Sequence, residues 1–303
     1  VIALFKASRP LNLLIVALTQ YLFYFFLFLK PNGSFDLLLS HRLLFTFIVV
    51  TVIISACGYY INDYFDYETD QTNLKTDKLS HRGTYLISYF TLFIVGWILS
   101  IWIAYEIDKL FLSVIYLIAT GLLYLYSSHF KRMPLSGNLI VAIFSAFVIG
   151  IILYAELDTV LSDLWQNTVF DGQALQIIFF YLLFIFMLSF IREIIKDIED
   201  IDGDRKLAYR TYPIVVGVKS AKKLSFALTI VLFIIACSWL YYSWFSFSLL
   251  LNIWYVISII LPSLYILILI KKSLLKNDFA HISSVCKLLM FSGLIYIIAL
   301  GWT

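Results

Sequence analysis

The sequence predicts an all-α, polytopic membrane protein of about nine transmembrane helices, and three observations carry that expectation. Of 303 residues, 62% are hydrophobic and 14% charged, with a mean hydropathy of +0.94; globular chains hold roughly 45–50% apolar and about 25% charged residues. Apolar runs recur between the charged clusters. Each is about 18 residues or longer, enough for a helix rising 1.5 Å per residue to cross roughly 30 Å of hydrocarbon. Third, when these runs are threaded alternately through a bilayer, all of the 22 Lys and Arg except Lys30, Arg42 and Lys109 fall on the side of the N-terminus. That bias marks the cytoplasmic face and puts the N-terminus inside and the C-terminus outside, in a cell (inner) membrane. The net charge of +3 is therefore a topology signal, with no clustered nucleic-acid footprint.

The expected spans are 10–29, 42–61, 84–105, 110–128, 137–155, 174–195, 221–243, 248–270 and 283–302. The first is expected to be a retained helix, because its apolar run is long and no small-residue cleavage site follows. No stretch shows the short alternating segments of a membrane β-barrel. Cys57, Cys237 and Cys286 fall inside spans without C-x-x-C spacing and act as small buried hydrophobes. On the outer side, 30–41, 106–109 and 241–247 are short or charge-poor, and only 156–173 is long, with Glu156, Asp158, Asp163 and Asp171. On the inner side, 62–83 and 196–220 are long and dense in charge of both signs.

Those two inner segments share one carboxylate spacing. Asp63-Tyr-Phe-Asp66-Tyr-Glu-Thr-Asp70 and Asp197-Ile-Glu-Asp200-Ile-Asp-Gly-Asp204 both read D-x-x-D-x-x-x-D, at the ends of the second and sixth spans. Charges on a merely solvated loop have no reason to repeat a spacing, or to begin where an apolar helix emerges. The chain is expected to be one membrane-embedded domain, with pseudo-repeated halves at about 1–130 and 131–271 and a final helix. On a helix, positions i, i+3 and i+7 lie within an arc of about 60°, so each trio projects from one face. Carboxylates so crowded repel one another unless cations intervene. Magnesium suits them, since it takes oxygen ligands and is held by one or two carboxylates plus substrate phosphates. Asn62 adds a neutral carbonyl ligand.

Basic residues complete the pattern. Lys75 and Lys78 follow the first trio, Arg192 and Lys196 precede the second, and Lys131-Arg132 occupies the inner loop between them. Metal ions and Lys or Arg together stabilise the charge that develops on a departing diphosphate.

With Asn62 ahead of it, the first element resembles the NDxxDxxxD element of the UbiA superfamily of intramembrane prenyltransferases, and the second resembles its DxxDxxxD element. The resemblance extends to Arg9-Pro10-Leu-Asn12, Lys131-Arg132 with Gly137-Asn138, Arg192-Glu193-Ile-Ile-Lys196 and Thr211-Tyr-Pro213. After the first element, Leu74-Lys75-Thr76-Asp77-Lys78 keeps the charges of the family's Asn-Lys-Pro-x-Arg-like stretch but lacks its Asn and Pro. The resemblance implies a helical bundle around a central cavity open to lipid, with Mg2+ and prenyl diphosphate held at a cytoplasmic cap. It implies that Asn62, Asp66, Asp200 and Asp204 are the principal magnesium-side groups, with Asp63, Asp70 and Asp197 supporting. Asp66, Asp200, Asp204 and Lys131 would carry catalysis, and Arg9, Asn12, Lys75, Lys78, Tyr126, Lys131, Arg132, Asn138, Arg192 and Lys196 would contact substrate.

The reaction so implied ionises an allylic diphosphate and shields the resulting carbocation in an apolar pocket. Tyr59, Tyr60, Tyr64, Tyr124 and Tyr126, near the inner helix ends, are candidates to face that cation. Within the family, the quoted stretches are most similar to the branch that prenylates geranylgeranylglyceryl phosphate. The expected partners are thus a prenyl diphosphate, geranylgeranyl by preference, a lipophilic acceptor and membrane lipid. Aromatic-acceptor members share the metal motifs and remain the alternative. A transporter is the alternative of another class, but its carboxylates would lie near the bilayer midplane rather than at helix ends.

Overall fold

The computed structural model describes residues 2–26, 37–67, 81–166 and 172–300, and among them every regular element is helical. The order is α1 (Ile2–Ala7), α2 (Pro10–Tyr24), α3 (His41–Phe65), α4 (Arg82–Glu106), α5 (Phe111–Ser128), α6 (Ser136–Ala155), α7 (Leu157–Gln166), α8 (Gly172–Glu199), α9 (Ile201–Lys206), α10 (Tyr212–Val216), α11 (Val218–Ser243), α12 (Leu249–Lys272) and α13 (Lys276–Leu300). A π-turn interrupts α12 at Val256–Ile260. Eight of these helices are long and apolar enough to cross a membrane: α3, α4, α5, α6, α8, α11, α12 and α13. They coincide with the last eight expected spans, so the chain is an all-helical multi-pass membrane protein. The first expected span begins as α2, an apolar helix of 15 residues, and its remainder runs into 27–36, outside the described residues.

Two boundaries differ from expectation in a way that matters for the site. Helices α3 and α8 run past their apolar stretches to Phe65 and Glu199, so Asp63 and Asp197 sit inside the last helical turn. Hydropathy marks where a helix leaves lipid, whereas its end is set by where the backbone hydrogen bonds stop. The bonds continue across both motifs: Asp66 N–H donates to Asn62 O at 3.0 Å, and Asp200 N–H to Lys196 O at 2.9 Å. The segment after Ala155, expected as a long connection, contains α7. Its Leu157, Val160, Leu161 and Leu164 recur at helical spacing.

The described chain forms two compact units: residues 1–21, 36–131 and 151–161, and residues 22–35, 132–150 and 162–303. In the first, α3 packs on α4 and α5. Cys57, Tyr60 and Ile61 of α3, Ala7 of α1, and Tyr85 and Tyr89 of α4 make its core. Gly96 permits the α3–α4 contact, because a Cβ there would lie 2.9 Å from Ile53 Cγ2. Gln20 Nε2 donates to Thr51 Oγ1 at 3.2 Å, and Thr51 Oγ1 lies 2.9 Å from Tyr116 Oη, tying α2, α3 and α5 together through buried polar groups. Away from the motif, the fully buried Glu156 accepts the N–H groups of Leu38 and Leu39 at 3.1 and 2.9 Å. Lys109 pairs with Asp158 at 2.9 Å. In the second unit, α8 packs against α11 and α13, and Ser145 of α6 meets Ser189 of α8 at 2.8 Å.

Candidate active site

In the first unit the last turn of α3 presents Asn62 and Asp63, and Asp66 caps the helix with φ −87° and ψ −2°. Asn62 Nδ2 donates to Asp66 Oδ2 at 2.9 Å. Lys131 stands in a 3-10 turn, Phe130–Arg132, just after α5. Its ammonium donates to Asn62 Oδ1 at 3.2 Å and to Asp66 Oδ1, so amide, carboxylate and ammonium form a closed triangle. The side chain of Asp63 is only 4% exposed and pairs with Arg9 Nη2 at 3.5 Å. Arg9 precedes Pro10 in the left-handed region, φ 52°, unusual for a non-glycine residue, and this elbow between α1 and α2 lays its guanidinium 4.8 Å over the Tyr59 ring.

Other expected contacts are placed differently. The Tyr60 hydroxyl is engaged by Leu4 O at 3.0 Å, and the Tyr64 ring carries Arg82 at 4.3 Å. Asn12 is exposed in the first turn of α2, and Tyr126 is half-buried near the end of α5. Asp70, Lys75 and Lys78 lie outside the described residues.

In the second unit Asp197 accepts Asn138 Nδ2 at 2.8 Å, and Asn138 is buried in the first turn of α6. Asp200 marks the step from α8 to α9, and Asp204 follows one turn later, its N–H donating to Asp200 O at 3.0 Å. Burial pushes the Asp204 carboxyl above the usual carboxylate range; Asp200 adds to the shift, while Thr211 and Lys196 oppose it. Lys196 is exposed beside Asp197. Arg132 is exposed, lies 5.2 Å over the Tyr209 ring and accepts Arg210 N–H on its carbonyl at 2.9 Å, bracing the chain that follows α9.

Arg192 stands apart from this group. It precedes Asp197 by five residues, which puts it about 140° around α8, and its Nη1 pairs with the Glu193 carboxylate. Glu193 was thus missed as a partner, although it is the neighbouring residue in the sequence.

The donors at both motifs are carboxylate and amide oxygens, the set that suits magnesium. Among the described residues no three His, Cys, Asp or Glu side chains converge as a ready-made metal cage. Magnesium does not require one, since it is typically held by one or two carboxylates together with substrate phosphate oxygens. Asn62, Asp63 and Asp66 fit that pattern, as do Asp197, Asp200 and Asp204.

A family model described as the UbiA prenyltransferase family matches residues 18–295. The chain belongs to the UbiA prenyltransferase family. Over 208 residues it is 31% identical to the digeranylgeranylglyceryl phosphate synthase of Methanosphaera stadtmanae, covering 66% of this chain and 68% of that protein. It is also 31% identical to the synthases of the same name from Sulfurisphaera tokodaii and Methanococcoides burtonii, over 64% and 59% of this chain. The matched stretch spans 64% and 58% of those two proteins, less than two thirds of their length. Among solved structures, one described as concerning digeranylgeranylglyceryl phosphate synthase in membranes superposes with a TM-score of 0.72 at 22% identity, covering 99% of this chain and 97% of that one. A UbiA homolog from Archaeoglobus fulgidus bound to GPP and Mg2+ superposes with a TM-score of 0.61 at 14% identity, covering 98% and 99%. At these identities the structural likeness establishes the UbiA fold.

Proposed function

We propose that this UbiA-family protein transfers a geranylgeranyl group from its diphosphate to the hydroxyl of geranylgeranylglyceryl phosphate, with magnesium at both aspartate clusters. The observation that carries the reading is the Asn62–Asp66–Lys131 triangle, in which a metal-side carboxylate and a phosphate-side cation are held together. The acceptor is supported by the names of the relatives, and the diphosphate donor and the metal by the Archaeoglobus homolog's complex with GPP and Mg2+.

Asn62, Asp63 and Asp66 would hold magnesium at the first motif, with Asp70 beyond them, and Asp197, Asp200 and Asp204 at the second. Bound magnesium supplies charge neutralisation of the diphosphate as its bond to carbon breaks. Lys131 is positioned by Asp66 and donates from there to diphosphate oxygens, adding the oriented cation that stabilises a departing anion. Arg9 balances the buried charge of Asp63. Asn138 fixes the orientation of Asp197 by donating to one of its oxygens. Lys75 and Lys78 are further phosphate contacts in this reading. The distribution of Lys and Arg supports a cytoplasmic location for both motifs in the cell (inner) membrane, and their shared spacing supports a pseudo-repeat of two halves.

The test incubates purified protein with Mg2+, labelled geranylgeranyl diphosphate and, separately, geranylgeranylglyceryl phosphate, dihydroxynaphthoate or hydroxybenzoate. The expected result is a labelled ether lipid from the glycerophosphate alone, abolished by chelation. Product from an aromatic acceptor instead would transfer the assignment to that class, and diphosphate neither bound nor released under any condition would sink the enzyme reading.

A further inference from the structure

Charge is divided unevenly along the chain. From Arg205 to Thr303 there are ten Lys and Arg and a single carboxylate, Asp278, whereas the preceding 204 residues hold 18 carboxylates against 12 cations. An asymmetry of this kind between two parts of one chain points to an anionic partner or surface. Topology alone does not require it, since the inner segment 62–83 carries its cations among carboxylates.

Six of the ten cations meet at one place in the second unit. Helix α11 opens with Lys219, Lys222 and Lys223, α12 ends with Lys271 and Lys272, and α13 begins with Lys276 after only Ser273, Leu274 and Leu275. Helix α12 packs on both α11 and α13, and Lys222 Nζ donates to Ser273 O, which pins the turn to α11. Lys219 and Lys223 lie within one helical turn of Lys222. The turn is ordered by its own hydrogen bonds: Asp278 Oδ2 accepts the N–H groups of Leu274 and Leu275 at 2.7 and 2.8 Å, and Asp278 also stands within electrostatic reach of Lys222. The one carboxylate of this stretch is therefore already engaged. Lys219, Lys223, Lys271, Lys272 and Lys276 are exposed, and Leu274 and Leu275 among them are 85% and 70% exposed.

The length of α12 sets the depth of this surface. Its 24 residues span about 36 Å, more than the roughly 30 Å of hydrocarbon but less than the roughly 40–45 Å that includes the headgroups. The lysine end and the turn thus fall at the level of the headgroups, where ammonium groups meet lipid phosphates and exposed leucines meet the uppermost acyl carbons. Nearer the bilayer centre, Tyr265 Oη of α12 lies 3.3 Å from His281 Nε2 of α13 on an exposed face, an aromatic pair with polar tips of the kind that favours the membrane interface. A soluble protein would find the lysines sunk among headgroups, whereas a lipid phosphate is already at their depth.

We infer that the lysine-flanked turn between α12 and α13, together with the opening turn of α11, is a docking surface for acidic phospholipids of the bilayer. Lys271, Lys272 and Lys276 supply the charge at the turn, Lys219 and Lys223 extend it along α11, and Lys222 holds the two parts in register. The inference is independent of the reaction proposed above and requires only that these helices span a bilayer.

The experiment titrates the full chain, purified in neutral detergent, with phosphatidylglycerol or with phosphatidylcholine of the same acyl chains, and counts bound lipid by native mass spectrometry. Phosphatidylglycerol is expected to bind about tenfold or more tightly than phosphatidylcholine, and the preference is expected to shrink as salt screens the lysines. A triple variant, Lys271→Gln with Lys272→Gln and Lys276→Gln, is expected to abolish the preference, each lysine accounting for about two- to fivefold. The corresponding triple change to Arg, which keeps the charge, is expected to retain it. Arg42→Gln, an exposed cation at the opposite end of the spans, is expected to have no effect. If the glutamine triple variant does not fold, Lys276→Gln alone and the salt titration of the unaltered protein carry the test. Equal binding of the two lipids, a preference indifferent to these lysines and to salt, or an equal loss with Arg42→Gln overturns the surface. Failure to transfer a prenyl group to any acceptor removes the function proposed above and leaves this surface standing.

Discussion

The two aspartate clusters share a spacing but not an electrostatic design. In the first, the cations come from elsewhere in the chain: Lys131 from the turn after α5 and Arg9 from the elbow before α2 reach Asp66 and Asp63. In the second, Asp197 has a neutral partner, Asn138, and Asp204 is held above its ordinary range by burial and by Asp200. Asp63 and Asp66 of the first cluster are thus paired with cations from distant parts of the chain, whereas Asp197 and Asp204 of the second are offset by Asn138, Thr211 and the exposed Lys196. A repeated motif therefore need not mean repeated roles: in the proposed reaction the first cluster would carry its own phosphate-side cation, and the second would draw more on bound metal.

The largest expected effect tests whether both clusters serve one reaction. Asp66→Asn and Asp200→Asn should each lower kcat by about 10³-fold, the scale for removing a preorganised electrostatic group, read by release of labelled product under saturating substrates. Lys131→Met should cost about 10²-fold on the same scale. Loss from only one of the two Asp variants would break the comparison into one functional and one structural cluster.

Stability without metal sharpens it further. With a chelator present, Asp204→Asn is expected to raise the thermal midpoint because it removes a carboxylate that burial disfavours, whereas Asp66→Asn is expected to lower it by disrupting the Lys131 pair. The Asp66 shift corresponds to about 1–3 kcal/mol, and differential scanning fluorimetry reads the sign of both. Shifts of the same sign would contradict the electrostatic contrast. Asn138→Ala should cost about 1–3 kcal/mol by leaving a buried acceptor unpaired, more than Asn62→Ala, where Lys131 still holds Asp66; chemical denaturation ranks the two. The smallest effect belongs to Arg9→Gln. Its side chain is 45% exposed, so its pair with Asp63 contributes about 0.2–1 kcal/mol, measured in the same denaturation series.

Much of this was legible in the amino-acid order. Lipid demands long uninterrupted apolar helices, so α3 to α6, α8 and α11 to α13 stand out from composition alone. The residues hardest to read are those whose roles depend on distant partners. Lys131 and Arg132 are adjacent in sequence, yet the 3-10 turn sends Lys131 to Asp66 while Arg132 lies over Tyr209. Glu156 reads as a loop charge, but it is fully buried and accepts two backbone N–H groups from 118 and 117 residues earlier in the chain. Arg192 reads as a companion of Asp197 by proximity, and helical rotation places it on another face, where it pairs with Glu193. The α7 helix was visible in principle, since its leucine and valine spacing is helical; the charges around it obscured the pattern.

The proposed reaction requires both aspartate motifs for ionisation of the diphosphate, and a double-mutant cycle tests that requirement most directly. Diphosphate release from labelled geranylgeranyl diphosphate would be measured in single turnover for the unaltered protein, Asp66→Asn, Asp200→Asn and the double variant. If the clusters work as a unit, each single variant is nearly as impaired as the double. Losses that simply multiply would show that the clusters act independently, contradicting the account.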